Sequence, residues 1–162
     1  MASPSGRRAI LTLPADTQIR IRREFDAPCH LIYRAWTTPD LIRLWWAGDH
    51  GEVTSAEVDL RVGGRWRNVM RARQGFEVAF HGEYREVVPD ARIVSTEVYE
   101  GFPEAEAVST LTLTRQGDGT LLEILIQHTS PAHRDAHIQS GMEAGLQEAL
   151  QDLDQLTASL QA

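Results

Sequence analysis

Residues 141–160, GMEAGLQEALQDLDQLTASL, decide the fold. Met142, Leu146, Ala149, Leu150, Leu153, Leu156 and Leu160 recur at three- and four-residue spacing, so they line one face of a long helix. A helix with one apolar stripe has to bury it against another layer. The sequence before it supplies that layer. Val53–Leu60, Arg65–Ala72, Phe76–Val88, Arg92–Tyr99, Ala107–Arg115 and Thr120–His128 read as half-buried strands, separated by turns at 62–64, 74–75, 89–90 and 117–119 and a loop at Gly101-Phe102-Pro103. Gly117-Asp118-Gly119 suits a hairpin connector, because glycine takes a positive φ at no steric cost.

Upstream, Ile19, Ile21 and Phe25 with polar residues between them mark a further strand starting at Gln18. Asp26 is placed to cap a first short helix and Pro28 to open it, with Leu31, Ile32, Ala35 and Trp36 at helical spacing. Thr38-Pro39-Asp40 starts a second short helix, Leu41 to Trp46, ending near Gly48. The order predicts an α+β fold: a curved antiparallel sheet wrapped on a long C-terminal helix, with two short helices after the first strand. Residues 18–162 form the single domain; residues 1–17, with Pro4, Gly6 and Pro14, read as a flexible arm whose Ile10–Leu13 can extend the sheet or cover a partner subunit.

Composition narrows the function classes. The chain has 162 residues, enough for one core without covalent staples. A net charge of −7 argues against nucleic acid as a partner. A single cysteine, Cys29, excludes a disulfide framework and a thiolate metal cluster. Arg7-Arg8 precedes only five residues before Pro14, too short for a secretory core, and no apolar run reaches membrane-span length. A soluble, cytoplasmic protein without a membrane partner is the expectation. Arg61, Arg65, Arg67, Arg71 and Arg73 form an acid-free stretch that reads best as solvent-facing strand arginines.

Several runs carry a resemblance. Phe25-Asp26-Ala27-Pro28, Tyr33-Arg34-Ala35-Trp36-Thr37, Leu44-Trp45-Trp46, the stretch Asp59 to Trp66 and the stretch His81 to Pro89 resemble bacterial proteins related to the activator of the Hsp90 chaperone ATPase. These belong to the START-like, or SRPBCC, superfamily. The resemblance spans most of residues 19–157 and implies a helix-grip (START-like, Bet v-like) fold with a deep cavity. Many relatives carry Gly-Trp in the final helix where this chain has Gly145-Leu146, which implies a cavity of different shape. The eukaryotic activators carry a separate chaperone-binding domain for which this chain has no room, so the family name does not by itself imply chaperone activation.

Candidate binding residues come from the aromatic content of the helices and middle strands. Trp45, Trp46, Trp66, Phe80, Tyr84 and Tyr99, with Asn68 in period with Trp66, and Met142 and Leu146 from the last helix, are the expected ligand-binding set. Trp36 is expected in the core. Glu86, Glu97 and His128 are the candidate general acids or bases, since Tyr84 and Glu86, and Glu97 and Tyr99, are spaced to share strand faces. His133 and His137, four residues apart, would share a helix face, but without a zincin glutamate they read as a surface pair; no metal and no cofactor is expected. The reading is a binding protein for an apolar or aromatic small molecule. A cyclase- or hydrolase-like enzyme is one alternative, and a homodimeric or chaperone-accessory module is the other.

Overall fold

The computed structural model describes residues 7–161. One antiparallel sheet carries eight strands: β1 (Ile10–Thr12), β2 (Gln18–Phe25), β3 (Gly51–Val58), β4 (Arg65–Ala72), β5 (Glu77–Val88), β6 (Arg92–Tyr99), β7 (Ala107–Gln116) and β8 (Gly119–Gln127). Their order across the sheet is β1-β2-β8-β7-β6-β5-β4-β3. Successive strands from β3 to β8 pair with one another, β4–β5, β5–β6 and β7–β8 through short turns and β3–β4 and β6–β7 through longer loops. β2 instead pairs with β8, so the chain has to cross from one wing of the sheet to the far edge. The helices α1 (Cys29–Thr37) and α2 (Pro39–Ile42) make that crossing. After β8 come α3 (Pro131–Gln139) and α4 (Met142–Leu160), the predicted long helix.

The α4 stripe meets the sheet on the β2–β8 side. Leu150 and Leu153 are fully buried, together with Ile19, Ile21, Ile32 and Leu122. Burying one such side chain contributes about 1.5–3 kcal/mol. The same interface holds a charged pair. Arg23 falls on the inward face of β2 by strict alternation, and Asp154 follows Leu153 on α4. Arg23 Nη1 donates to Asp154 Oδ2 at 3.2 Å and both side chains are almost wholly shielded from solvent. Arg23 also donates to Gln151 Oε1 and the Glu24 carbonyl, and its guanidinium lies 4.6 Å from the Phe25 ring.

Three sequence expectations change in detail. Asp26 does not cap α1: the N-cap is Pro28, which offers no side-chain acceptor. The Asp26 carboxylate instead binds Arg7 at 2.7 Å. The segment expected as an arm is docked from Arg7 onward, where β1 pairs with β2 and the Ala9 backbone exchanges two hydrogen bonds with Gln147 of α4. Residues 1–6 lie outside the described residues. Finally, Tyr84 and Glu86 do not share a face, because a bulge between them turns Tyr84 inward and Glu86 outward. A one-residue insertion breaks the period-two rule that the sequence reading relies on.

Candidate functional site

Cross-strand register fixes what the concave face carries. Directly paired residues lie on the same side of a sheet. On the β2–β8 wing the inward positions are Ile19, Ile21, Leu122, Ile124 and Ile126, all buried under α4 and α1. On the β4–β6 wing the inward positions divide: Asn68, Tyr84, Ile93 and Ser95 are buried, Trp66, Phe80 and Glu97 are partly buried, and Tyr99 is 42% exposed. The face is therefore sealed along β2 and β8 and less completely covered where Trp66, Phe80, Glu97 and Tyr99 stand.

Aromatic rings line the less covered stretch. Trp46, just after α2, meets Phe80 edge-on at 5.7 Å, and Phe80 meets Tyr99 at 5.2 Å. Met142 and Leu146, on the first turns of α4, are partly buried above the sheet. Those turns are pinned near α2. The Glu148 carboxylate takes a hydrogen bond from the Asp49 amide at 3.1 Å and pairs with His50 Nε2 at 3.2 Å. Gly48, at φ 57, passes 3.0 Å from the Glu148 side chain measured at the position its own Cβ would take, so only glycine fits that crossing.

A polar row crosses the floor of the groove. Trp66 pairs with Gly82, Gly82 stands opposite Glu97 by the register of β5 and β6, and Glu97 pairs with Ala107. His128 continues the row beyond β8, since it keeps the inward alternation of Ile124 and Ile126 and is buried. The Trp66 indole nitrogen lies over Gly82: a Cβ there would stand 2.6 Å from it. Three buried polar atoms on this face have no hydrogen-bond partner, namely Trp66 Nε1, Asn68 Oδ1 and His128 Nδ1. Buried polar atoms are rarely left unpaired, and each costs about 1–3 kcal/mol. The Glu97 carboxyl is raised to about 7 by burial, with no charged group or hydrogen bond opposing it.

The other sequence candidates distribute themselves away from this row. Trp45 is core, not groove: it is 4% exposed, packs on Trp36 at 4.7 Å, and donates its indole N–H to the Ala35 carbonyl. Tyr84 is likewise in the buried cluster. Glu86 is exposed and bound to Arg92 at 2.8 Å, which removes it as a general acid. Arg67 makes a two-pronged contact with Glu100 at 2.9 and 3.0 Å on the outer face, as a solvent-facing arginine would. Two shallow surface hollows lie away from these aromatic rings. One, of about 400 Å³, sits at the β3–β4 turn around Asp59, Arg61 and Arg65; the other, of about 320 Å³, sits at the β1–β2 edge around Arg8 and Arg22. Neither hollow is the deep enclosed cavity between sheet and α4 that the resemblance implies.

The histidines pair differently from the helical spacing. His128 Nε2 and His137 Nδ1 lie 3.0 Å apart, joining the end of the sheet to α3, while His133 turns to Phe102 at a ring separation of 5.6 Å. Among the described residues no three metal-ligating side chains converge. Burial and the neighbouring His128 hold His137 down to about 4, and burial, His133 and Arg134 lower His128. Since the unfolded histidines titrate near 6.5, the unfolded chain takes up these protons first, and the contact is lost as pH falls from about 6.5 towards 4. Hydrogen exchange is expected to show faster exchange in residues 131–139 at pH 5 than expected from intrinsic rates, with protection restored at pH 7.5. A His137→Phe variant should lose most of that pH dependence.

Comparison with known proteins places this architecture. The family described as Activator of Hsp90 ATPase homolog 1-like protein matches residues 26–158. No curated protein matches the chain. A crystal structure from Rhodobacter sphaeroides is 26% identical, with a TM-score of 0.87, covering 93% of this chain and 99% of its own. One from Chromobacterium violaceum is 30% identical, with a TM-score of 0.74 and coverage of 86% and 96%. An AHSA1-like protein from Aeromonas hydrophila, solved by NMR, is 23% identical, with a TM-score of 0.69 and coverage of 86% and 93%. No helix among the described residues is long and apolar enough to cross a membrane.

Proposed function

We propose that this chain, which belongs to the family of Activator of Hsp90 ATPase homolog 1-like proteins, binds a small, mainly aromatic or apolar molecule in the groove between the β4–β6 wing and the first turns of α4. The observation that supports this reading is the aromatic run Trp46, Phe80 and Tyr99, in which Trp46 and Phe80 are half-buried and Tyr99 is 42% exposed. In a finished core those rings would be sealed, as the aliphatic side chains of the opposite wing are. A flat molecule laid on them removes apolar surface from water at about 25 cal/mol per Å² and stacks on rings already held in place. Phe102, 42% exposed in the loop after β6, stands near the same end of the sheet and would border the entrance.

Native mass spectrometry of the freshly purified chain tests this. A small-molecule adduct is expected on the wild type, and Phe80→Arg, which puts a charge among the rings, should remove it while leaving the thermal transition within a few degrees. A bare mass for wild type, together with no tryptophan-fluorescence change on adding 2-methylnaphthalene, would overturn the reading.

One observation favours a second reading. Glu97, raised to about 7, and the buried His128 give the groove an acid and a base on one row. Those are the groups a cyclase- or hydrolase-like reaction would need. Turnover lost in Glu97→Gln without loss of binding would favour this reading over binding alone.

A further inference from the structure

We propose that the molecule bound at this site carries a positive charge: an aromatic or apolar body with one protonated amine, the amine resting against the Glu97 carboxylate among the side chains of Trp66, Phe80 and Tyr99. This rests on the binding reading above and names the chemical class that the site would take.

The neighbours of Glu97 follow from register. Tyr99 is two residues further along the same face of β6. Phe80 pairs with Tyr99 and stands diagonally across from Glu97, a separation of about 7–8 Å that long side chains bridge. Gly82 stands opposite Glu97, and the Trp66 indole lies over Gly82. The carboxyl thus stands among three aromatic side chains. It is partly buried, not sealed, and it makes no ion pair or hydrogen bond among the described residues.

What is missing around it is a cation. The chain has no lysine, so its 16 Lys-or-Arg charges are all arginine. Among the strand arginines only Arg23 is buried, and it is bound to Asp154. Arg134 on α3 is held by Asp135 and the Ala15 carbonyl. None acts on the Glu97 carboxyl, which burial alone shifts. Trp66 Nε1, the unpaired donor over the neighbouring Gly82, carries no charge to balance a carboxylate. Burial lowers both His128 and His137, which leaves them uncharged near pH 7. On α4, Glu148 is tied to Asp49 and His50. Glu143 on the first turn of α4, and Glu104 and Glu106 in the loop that carries Phe102, are exposed acids.

A carboxyl set among apolar rings without a partner offsets its desolvation in one of two ways: it holds a proton, or it receives a cation. The rings favour the second, since an aromatic face attracts a cation within about 6 Å. An uncharged occupant leaves the proton in place, and an anionic one meets Glu97 as a like charge. The site should therefore distinguish molecules of one shape by their charge.

Three naphthalenes test this: 2-naphthylmethylamine, which stays protonated from pH 6 to pH 8, its uncharged isostere 2-naphthylmethanol, and the anion 2-naphthoate, each titrated by calorimetry at both pH values. At pH 8 the amine is expected to bind about ten-fold tighter than the alcohol, with 2-naphthoate weakest. At pH 6 the amine should lose about ten-fold in affinity, because a carboxyl titrating at about 7 is ionised in roughly one molecule in ten there. The alcohol should show no such loss. Glu97→Gln, of nearly the same shape, should remove the pH dependence and most of the amine preference. An amine that binds no tighter than the alcohol at pH 8, or a preference unchanged at pH 6 or in Glu97→Gln, overturns the inference and leaves the binding reading standing. Failure of all three probes to bind at pH 8 overturns the binding reading itself.

Discussion

Asp154→Ala is expected to cost about 3–5 kcal/mol of unfolding free energy, which for a chain of this length lowers the thermal midpoint by roughly 10 °C or more. The reason is the site it leaves behind. Arg23 is 2% exposed and its Nε already lacks a partner. Its remaining contacts are the Glu24 carbonyl and Gln151. Removing the carboxylate strands a guanidinium between β2 and α4 where water does not reach. Arg23→Met strands the carboxylate instead and should cost a similar amount, less if Asp154 takes up a proton, towards which burial already pushes it. The double variant Arg23→Met with Asp154→Leu should recover most of the loss, since well-packed apolar side chains often replace a buried ion pair at little cost. Urea unfolding of these three variants and of Asp154→Leu alone measures the losses and the recovery. Single variants within about 1 kcal/mol of wild type would show that this pair contributes nothing to the clamp between sheet and helix.

The second large effect is a change of sign with pH at Glu97. A carboxyl that titrates at about 7 in the fold and near 4.5 when unfolded makes the folded state bind the extra proton. Folding stability then falls as pH rises through that window. At about 1.4 kcal/mol per pH unit the limit is near 3 kcal/mol, and about 2 kcal/mol is expected because Glu97 keeps some solvent contact. Glu97→Gln removes the dependence. The stability of the variant relative to wild type should therefore rise from pH 4.5 to pH 8. The difference between the two proteins isolates Glu97 from His128 and His137, whose own contribution runs the other way over pH 4 to 6.5. A relative stability that is flat across the range would mean that Glu97 is hydrated like a surface carboxylate.

Much of the architecture is legible in one dimension because it is built from local periods. The α4 stripe, the β4 and β6 limits and the turn glycines follow from spacing and backbone freedom alone. The features that were not legible depend on contacts between distant segments. Trp45 and Trp46 are adjacent and point in different directions, but which one faces the core follows only from where α1 packs: Trp45 finds the Ala35 carbonyl, and Trp46 is left for Phe80. Glu86 looked equivalent to Glu97 until the β5 bulge turned it outward. Arg23 and Asp154 each stand at apolar positions of their elements, and their partnership across 131 residues has no local signal. The row Trp66, Gly82, Glu97, Ala107, His128 exists only because strand order and register align residues from four strands and the end of a fifth. Glu97, His128 and Trp66 were each named from the sequence, but what joins them was not.

The most direct test of the central claim is an amide NMR titration of the isotope-labelled chain with 2-naphthol. The account predicts that the largest shifts fall on the inward residues of the β4–β6 wing and its cover, at 66–68, 80–82, 97–99 and 142–146, with little change in β1, β2 or the outer face of the sheet. Shifts confined to the β3–β4 turn around Asp59 and Arg61, or spread evenly over the surface, would contradict it.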